Sequence, residues 1–246
     1  MSNLYKDLAE VYEAMYYTFI NYKDEYELYS EVVEQFNYKD VVEIGSGTGN
    51  LAKYFLENGF NYRGLDLSSD MIAIAKRKVP SAQFIEGNMC DFKLAKPTES
   101  IIITGRTVSY LLDNESINAA FSSFFKNLKQ GGIVCFDFID ANKFIPDIAK
   151  GKEVVHEAVY QDKTFIRESF WELYLDQGMD VKWKATFYTK KGEELAKIGE
   201  DNSIFRTFTR DEMAIFLAIN GFQVKEFRER ASYAFPTYVV VAERKG

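Results

Sequence analysis

Apolar residues fall in short bursts along the first half of this chain, and each burst is followed by a stretch with helical spacing. "DVVEIGSG" reads as a short strand running into a glycine turn, and "NLAKYFLENG" as a helix ended by Gly59. "NYRGLDLS" is a second strand and "SSDMIAIAKRKV" a second helix. Ser68 or Ser69 caps that helix, Asp70 suits its first turn, the basic residues at 76–78 suit its last, and Pro80 stops it. "AQFIEGN" and "SIIITG" supply a third and a fourth strand. A helix near residues 115–128, closed by "QGG", leads to a fifth strand, "GIVCFDFID". That fifth strand is apolar nearly throughout, as expected for a strand covered on both faces. Strands and helices alternating through short links predict a parallel sheet with right-handed crossovers. The first strand should lie mid-sheet, with a ligand crevice at its carboxyl end.

The rhythm changes after Phe144. "EVVHEAVY", "TFIRESFWELYL", "MDVKWKATFYT" and "NSIFRTF" read as strands joined by the turns "QDK", "LDQGMD" and "KKGEE". Successive hairpins without helices predict a small antiparallel layer inserted into the α/β domain. "FTRDEMAIFLAINGF" then returns to that domain, with Thr209 and Glu212 as a capping box and Gly221 as the stop. "FQVKEFRER" and "TYVVVAER" form a terminal antiparallel pair. Ahead of the first strand, positions 4–36 have helical spacing and carry nine aromatics, which serve as packing or as a flap over a ligand. The expected organisation is a helical flap at 1–36, an α/β domain at 37–143 and 206–246, and an inserted β lid at 144–205.

Composition narrows the class. The chain has 246 residues, 47% hydrophobic and 27% charged, with a formal charge of −7, which fits a globular protein and opposes a broad nucleic-acid footprint. No apolar run approaches the length of a membrane span, and the N-terminal residues lack an apolar signal core. Cys90 and Cys135 stand far apart without metal-ligand spacing, so no structural metal is expected. A cytoplasmic protein is the resulting expectation.

The glycine stretch "VVEIGSGTGN" carries the first chemistry. Gly45, Gly47 and Gly49 follow a strand and open a helix, where a bare backbone approaches a ligand closely. A dinucleotide fingerprint needs G-x-G-x-x-G, and its last position here is Asn50. Glu43 stands two residues before the first glycine, and a carboxylate there repels a pyrophosphate by about 1–4 kcal/mol at ~4 Å. A cationic ligand without phosphate suits it better, and S-adenosylmethionine has a sulfonium, an ammonium and no phosphate. Asp66 ends the second strand and serves either ribose hydroxyls or the cap of the next helix. Asn88 offers an amide oxygen to an exocyclic adenine amine, while Met89 covers the ring or simply packs.

"VVEIGSGTG", then "GLDLSSDMIAIAKRK", then "FIEGNMCDF", in this order and spacing, resemble the class I S-adenosylmethionine-dependent methyltransferases over about residues 38–140. The resemblance implies a doubly wound, mostly parallel seven-stranded sheet of Rossmann-like type with the small antiparallel insertion. It implies a cofactor site at Glu43, Gly45, Gly47, Gly49, Asp66, Leu67, Met71, Asn88, Met89 and Thr104. The family's adenine pair often begins with Asp; here Asn88 lacks the charge and keeps an acceptor. The stretch from Thr104 to Arg106 corresponds to the segment beside the methionine moiety. The hairpins, with "LAEVYEAMY" near the start, resemble a narrower group of bacterial small-molecule methyltransferases that includes N,N-dimethyltransferases of nucleotide-linked amino sugars. In that group a tyrosine near the N-terminus lies in the active site, and it corresponds to Tyr12.

A base for the acceptor is harder to find. His156 is the only histidine and serves the site or the fold. Arg106, Arg167 and Arg230 meet an anionic substrate or form surface ion pairs. The expected activity is methyl transfer to N or O of a small molecule, with no metal, nucleic-acid or membrane partner and a homodimer left open. A nicotinamide-dependent oxidoreductase and a nucleoside-binding regulatory module without turnover are the competing readings.

Overall fold

The computed structural model describes residues 11, 15, 16, 18, 20–160, 163–175, 178–191, 194–231 and 235–246. The helical periodicity before the first strand does not run unbroken to its end. Residues 20 and 21 are non-helical, and the Asn21 side chain caps a new helix, α1 (Tyr22–Gln35), by accepting from the Lys23 and Asp24 N–H groups. An asparagine that bonds its own following backbone outcompetes continuation of the preceding turn.

The alternation expected from the apolar bursts is present. β1 (Asp40–Ile44), α2 (Ala52–Glu57), β2 (Asn61–Asp66), α3 (Ser69–Lys78), β3 (Gln83–Glu86), β4 (Thr98–Ile103), α4 (Asn114–Asn127) and β5 (Leu128–Ile139) follow in turn. After an inserted section, α6 (Arg210–Ile219), β10 (Phe222–Ala231) and β11 (Pro236–Arg244) complete the domain. The seven strands lie in the order β10-β11-β5-β4-β1-β2-β3, parallel except for the pairings of β11 with β5 and β10. β1 is central, and the strand order reverses between it and β4, so a crevice opens beyond their carboxyl ends. One face of the sheet is packed by Phe121, Phe124 and Phe208, the other by Tyr29, Val33 and Phe55. Burial on both faces explains the unbroken apolar run of β5.

The inserted section begins with a helix that the hairpin pattern did not predict, α5 (Ala141–Ile148), capped by Asp140, whose side chain accepts from the Asn142 N–H. Phe144 and Ile148, one turn apart, bury themselves under the second sheet, and the helix accommodates Pro146 within it. β6 (Lys152–Tyr160), β7 (Lys163–Tyr174), β8 (Asp180–Lys191) and β9 (Glu194–Arg206) then form an antiparallel four-stranded meander in chain order. Its inner face carries Trp171, Trp183, Phe187 and Phe205. No described helix is long and apolar enough to cross a membrane.

Candidate functional site

A cavity of about 380 Å³ opens beyond the carboxyl ends of β1 to β4. Its floor is the glycine loop. Gly45, Gly47 and Gly49 take φ values of 73°, 53° and 75°, all in the left-handed region that favours glycine. A Cβ on Gly45 would stand 2.5 Å from Thr107 Oγ1, and one on Gly49 would stand 2.8 Å from Phe84 Cζ. Gly45→Ala is therefore expected to lower the thermal midpoint, because the backbone alone costs about 1–2 kcal/mol and Thr107 must also move. An unchanged melting curve would contradict that packing.

Glu43 lies at the base of this cavity, 2% exposed. Tyr62 donates its hydroxyl to one carboxylate oxygen at 2.5 Å, and Thr104 donates to the other at 2.7 Å. Burial pushes the Glu43 pKa up to about 7, against the pull of both hydroxyls, and the Asp66 charge adds to the rise. Asp66 braces the loop. Its oxygens accept from the Gly47 N–H at 2.8 Å and the Ser68 N–H at 2.9 Å. Burial raises this carboxyl too, and the backbone donors at Ser68 and Gly47 restrain the rise. Ser68 itself caps α3 by accepting from the Met71 N–H, so Asp66 is not the cap acceptor of that helix.

A second cavity, of about 260 Å³, lies under the inserted sheet. Trp171, Trp183, Phe144, Phe205 and Phe235 make it aromatic, and Arg106, Lys152, His156 and Arg167 bring basic groups. Arg167 is 3% exposed, stacks near the Tyr16 and Trp183 rings, and donates to His156 Nδ1 at 3.0 Å. A guanidinium only donates, so Nδ1 is an acceptor and a neutral His156 carries its proton on Nε2. Burial, then the Arg167 charge, lowers the His156 pKa and favours that neutral form. The two cavities share Ile20, Gly105, Arg106 and Tyr110.

A methyltransferase-domain family profile matches residues 41–132, which hold the glycine loop, Asp66 and Asn88. The chain carries a methyltransferase domain, and its relatives and its fold are those of class I S-adenosylmethionine-dependent methyltransferases. A protein of Geobacillus sp. (strain WCH70), named only as a methyltransferase, is 26% identical over 195 residues, 76% of this chain and 75% of that one. The dTDP-3-amino-3,4,6-trideoxy-α-D-glucopyranose N,N-dimethyltransferase of Streptomyces venezuelae is 32% identical over 94 residues, 38% of this chain and 40% of that enzyme. The crystal structure of Streptomyces venezuelae DesVI shares the fold, with a TM-score of 0.83 at 23% identity, covering 98% of this chain and 99% of that one.

In this methyltransferase the first cavity gathers Glu43, Gly45, Gly47, Asp66, Leu67, Met71, Asn88, Met89, Thr104 and Arg106. Gly49 does not line it; that glycine instead lets α3 and Phe84 approach the loop. The Asn88 amide oxygen, expected to face adenine, already accepts from the Cys90 N–H at 3.0 Å, which leaves it one further lone pair. His156 and Arg167 line the second cavity. Arg230 lines neither cavity among the described residues and forms a two-pronged ion pair with Glu25 of α1. Tyr12 lies outside the described residues. The sequence reading missed Tyr62, which holds Glu43 from the neighbouring strand, and Asp137, which lines the first cavity. Asp137 is the acid within the apolar run "GIVCFDFID", and a buried acid in an interior strand was a signal for it. No group of three or more metal-ligand side chains is present among the described residues.

Proposed function

We propose that this methyltransferase moves a methyl group from S-adenosylmethionine to a nitrogen of a small molecule seated in the second cavity. The observation that carries this reading is the meeting of two unlike cavities at Ile20, Gly105, Arg106 and Tyr110. The first is rich in carboxylates around a glycine loop, which fits a cationic, phosphate-free cofactor. The second is an aromatic chamber of small-molecule size.

Glu43, held by Tyr62 and Thr104, faces the cationic methionine end. Asp66 keeps lone pairs for the ribose hydroxyls after accepting from Gly47 and Ser68. Leu67, Met71 and Met89 enclose the base, and Asn88 gives its remaining lone pair to the adenine amine. When bound, S-adenosylmethionine supplies an electrophilic methyl whose leaving group is a neutral thioether. The protein's task is orientation and exclusion of water. The β lid at 144–205 holds the acceptor. The segment before β1 covers the cofactor, and Ile20, Tyr22 and Glu25 on the first cavity support that assignment.

Nitrogen is favoured over oxygen because an amine brings its own lone pair, whereas a hydroxyl needs a base. His156 is a poor base, since its Nδ1 lone pair accepts from Arg167. The N,N-dimethyltransferase name of one relative supports the same choice. His156→Gln is accordingly expected to retain kcat within about tenfold, against the 10²–10⁴-fold loss typical of a general base. A loss in that larger range, with a lost pH-dependent limb, would restore His156 as the base. The primary test is calorimetry with S-adenosylmethionine and S-adenosylhomocysteine, followed by mass detection of methylated product from amino sugars and their hydroxyl counterparts. Absence of binding by both cofactor forms would sink the proposal, and methylation of the hydroxyl compounds alone would sink the choice of nitrogen.

A further inference from the structure

Arg106 is held in an unusual place. It follows Gly105 in a turn where both residues are left-handed, with φ values of 64° and 60°. A non-glycine residue adopts that conformation only when its surroundings enforce it. The Arg106 N–H donates to Asp137 Oδ1 over 2.7 Å, between residues 9% and 1% exposed, and this bond helps to hold the turn. The turn directs the guanidinium over the Phe235 ring, 5.2 Å from its centroid, on the wall that both cavities share.

Charge is distributed unevenly across that wall. Glu43, Asp66 and Asp137 line the cofactor side, together with Glu25, whose charge Arg230 pairs. On the acceptor side stand Arg106, Arg167 and Lys152, the last paired with Asp147, and among the described residues no carboxylate lines it. Methyl transfer breaks the sulfur–carbon bond with its electron pair left on sulfur, and the acceptor's lone pair forms the new bond. One unit of positive charge thereby passes from the acidic cavity into the basic one, which is uphill for an acceptor that carries no charge. An acceptor that brings its own carboxylate or phosphate cancels the opposing field.

We propose that Arg106 is the group that selects an acceptor with an anionic substituent close to the methylated atom, and that Asp137 is the positioning residue that holds Arg106 at the junction. This rests on the second cavity being the acceptor site, as proposed above. A planar guanidinium gives a carboxylate or phosphate two parallel hydrogen bonds, which a neutral amide cannot match.

The chain offers its own reporter. Its two tryptophans, Trp171 and Trp183, both line the acceptor cavity. With S-adenosylhomocysteine present, tryptophan fluorescence is titrated with phenylacetate and with its neutral isostere phenylacetamide. Phenylacetate is expected to quench saturably and to bind about tenfold or more tightly than the amide. Arg106→Gln, read at saturating S-adenosylhomocysteine, should remove that preference. Asp137→Ala should remove it as well, whereas Asp137→Asn, which keeps the acceptor oxygen for the Arg106 N–H, should restore it. Equal binding of the two probes, no quenching by either, or a preference that survives in Arg106→Gln overturns the proposal. Calorimetry with S-adenosylmethionine is read separately. A chain that prefers phenylacetate and fails to bind the cofactor loses the methyl-transfer reading and keeps the anion site.

Discussion

Asp66→Ala is expected to weaken S-adenosylmethionine binding by at least about a hundredfold, since two hydrogen bonds to a charged acceptor are each worth about 1.5–3 kcal/mol. The carboxylate has two partners already, the N–H groups of Gly47 and Ser68, and these fix its plane at the end of β2. Fixed in that way, it keeps lone pairs for the diol of the proposed cofactor at no cost in side-chain freedom. Asp66→Asn should fall between the wild type and Asp66→Ala, because its amide nitrogen must face one of the two backbone donors. The ribose role is separated from bracing of the loop by competition with adenosine and 2′-deoxyadenosine. The wild type should prefer adenosine, and Asp66→Ala should not distinguish the two. Full affinity in Asp66→Ala, or a wild type indifferent to the 2′-hydroxyl, would reject the assignment.

Glu43→Gln should move stability and cofactor affinity in opposite directions. Glu43 has a folded pKa of about 7, above the ordinary glutamate value of 4.5. Below pH 4.5 the group is protonated in both states and costs nothing. As pH rises towards 7 the unfolded chain releases the proton first, so stability falls, and above 7 the cost is complete. At about 1.4 kcal/mol per unit, that cost is on the order of 3 kcal/mol. Glutamine removes it, so the cofactor-free variant should melt several degrees higher at pH 8 and no differently near pH 4. The same substitution takes away the counter-charge for the methionine end, and S-adenosylmethionine should bind about tenfold or more weakly at pH 8. Wild-type affinity should correspondingly rise with pH through about 7 as the carboxylate ionises. A variant that melts lower at pH 8, or binds the cofactor as tightly as wild type, would show that Glu43 is structural. If both expected outcomes hold, the site stores instability in the empty protein and releases it on binding a cation.

The contrast between these two acids shows where sequence reasoning stops. Both were visible as acids at strand ends beside glycines. The opposition between Glu43 and a phosphate followed from charge alone. That its carboxylate would be buried, pinned by Tyr62 and titrate near neutrality depended on the register that sets β1 beside β2. The sequence left Asp66 open between the ribose and the α3 cap, and in the fold Ser68 takes that cap.

Local signals by themselves determined the alternation of strands and helices, the glycine loop, the terminal antiparallel pair and the inserted hairpins. Each of these rests on residues near one another in the chain, through apolar period, caps and turn residues. The tertiary structure alone decided that Arg230 pairs with Glu25 across 205 positions, that Asp137 holds the Arg106 turn, and that both tryptophans face the second cavity. It also decided that Arg167 occupies the lone pair His156 would need as a base. These contacts join residues on different strands and helices, and no periodicity encodes them. They arise when strands and helices distant in sequence pack together, and burial then determines which charges meet.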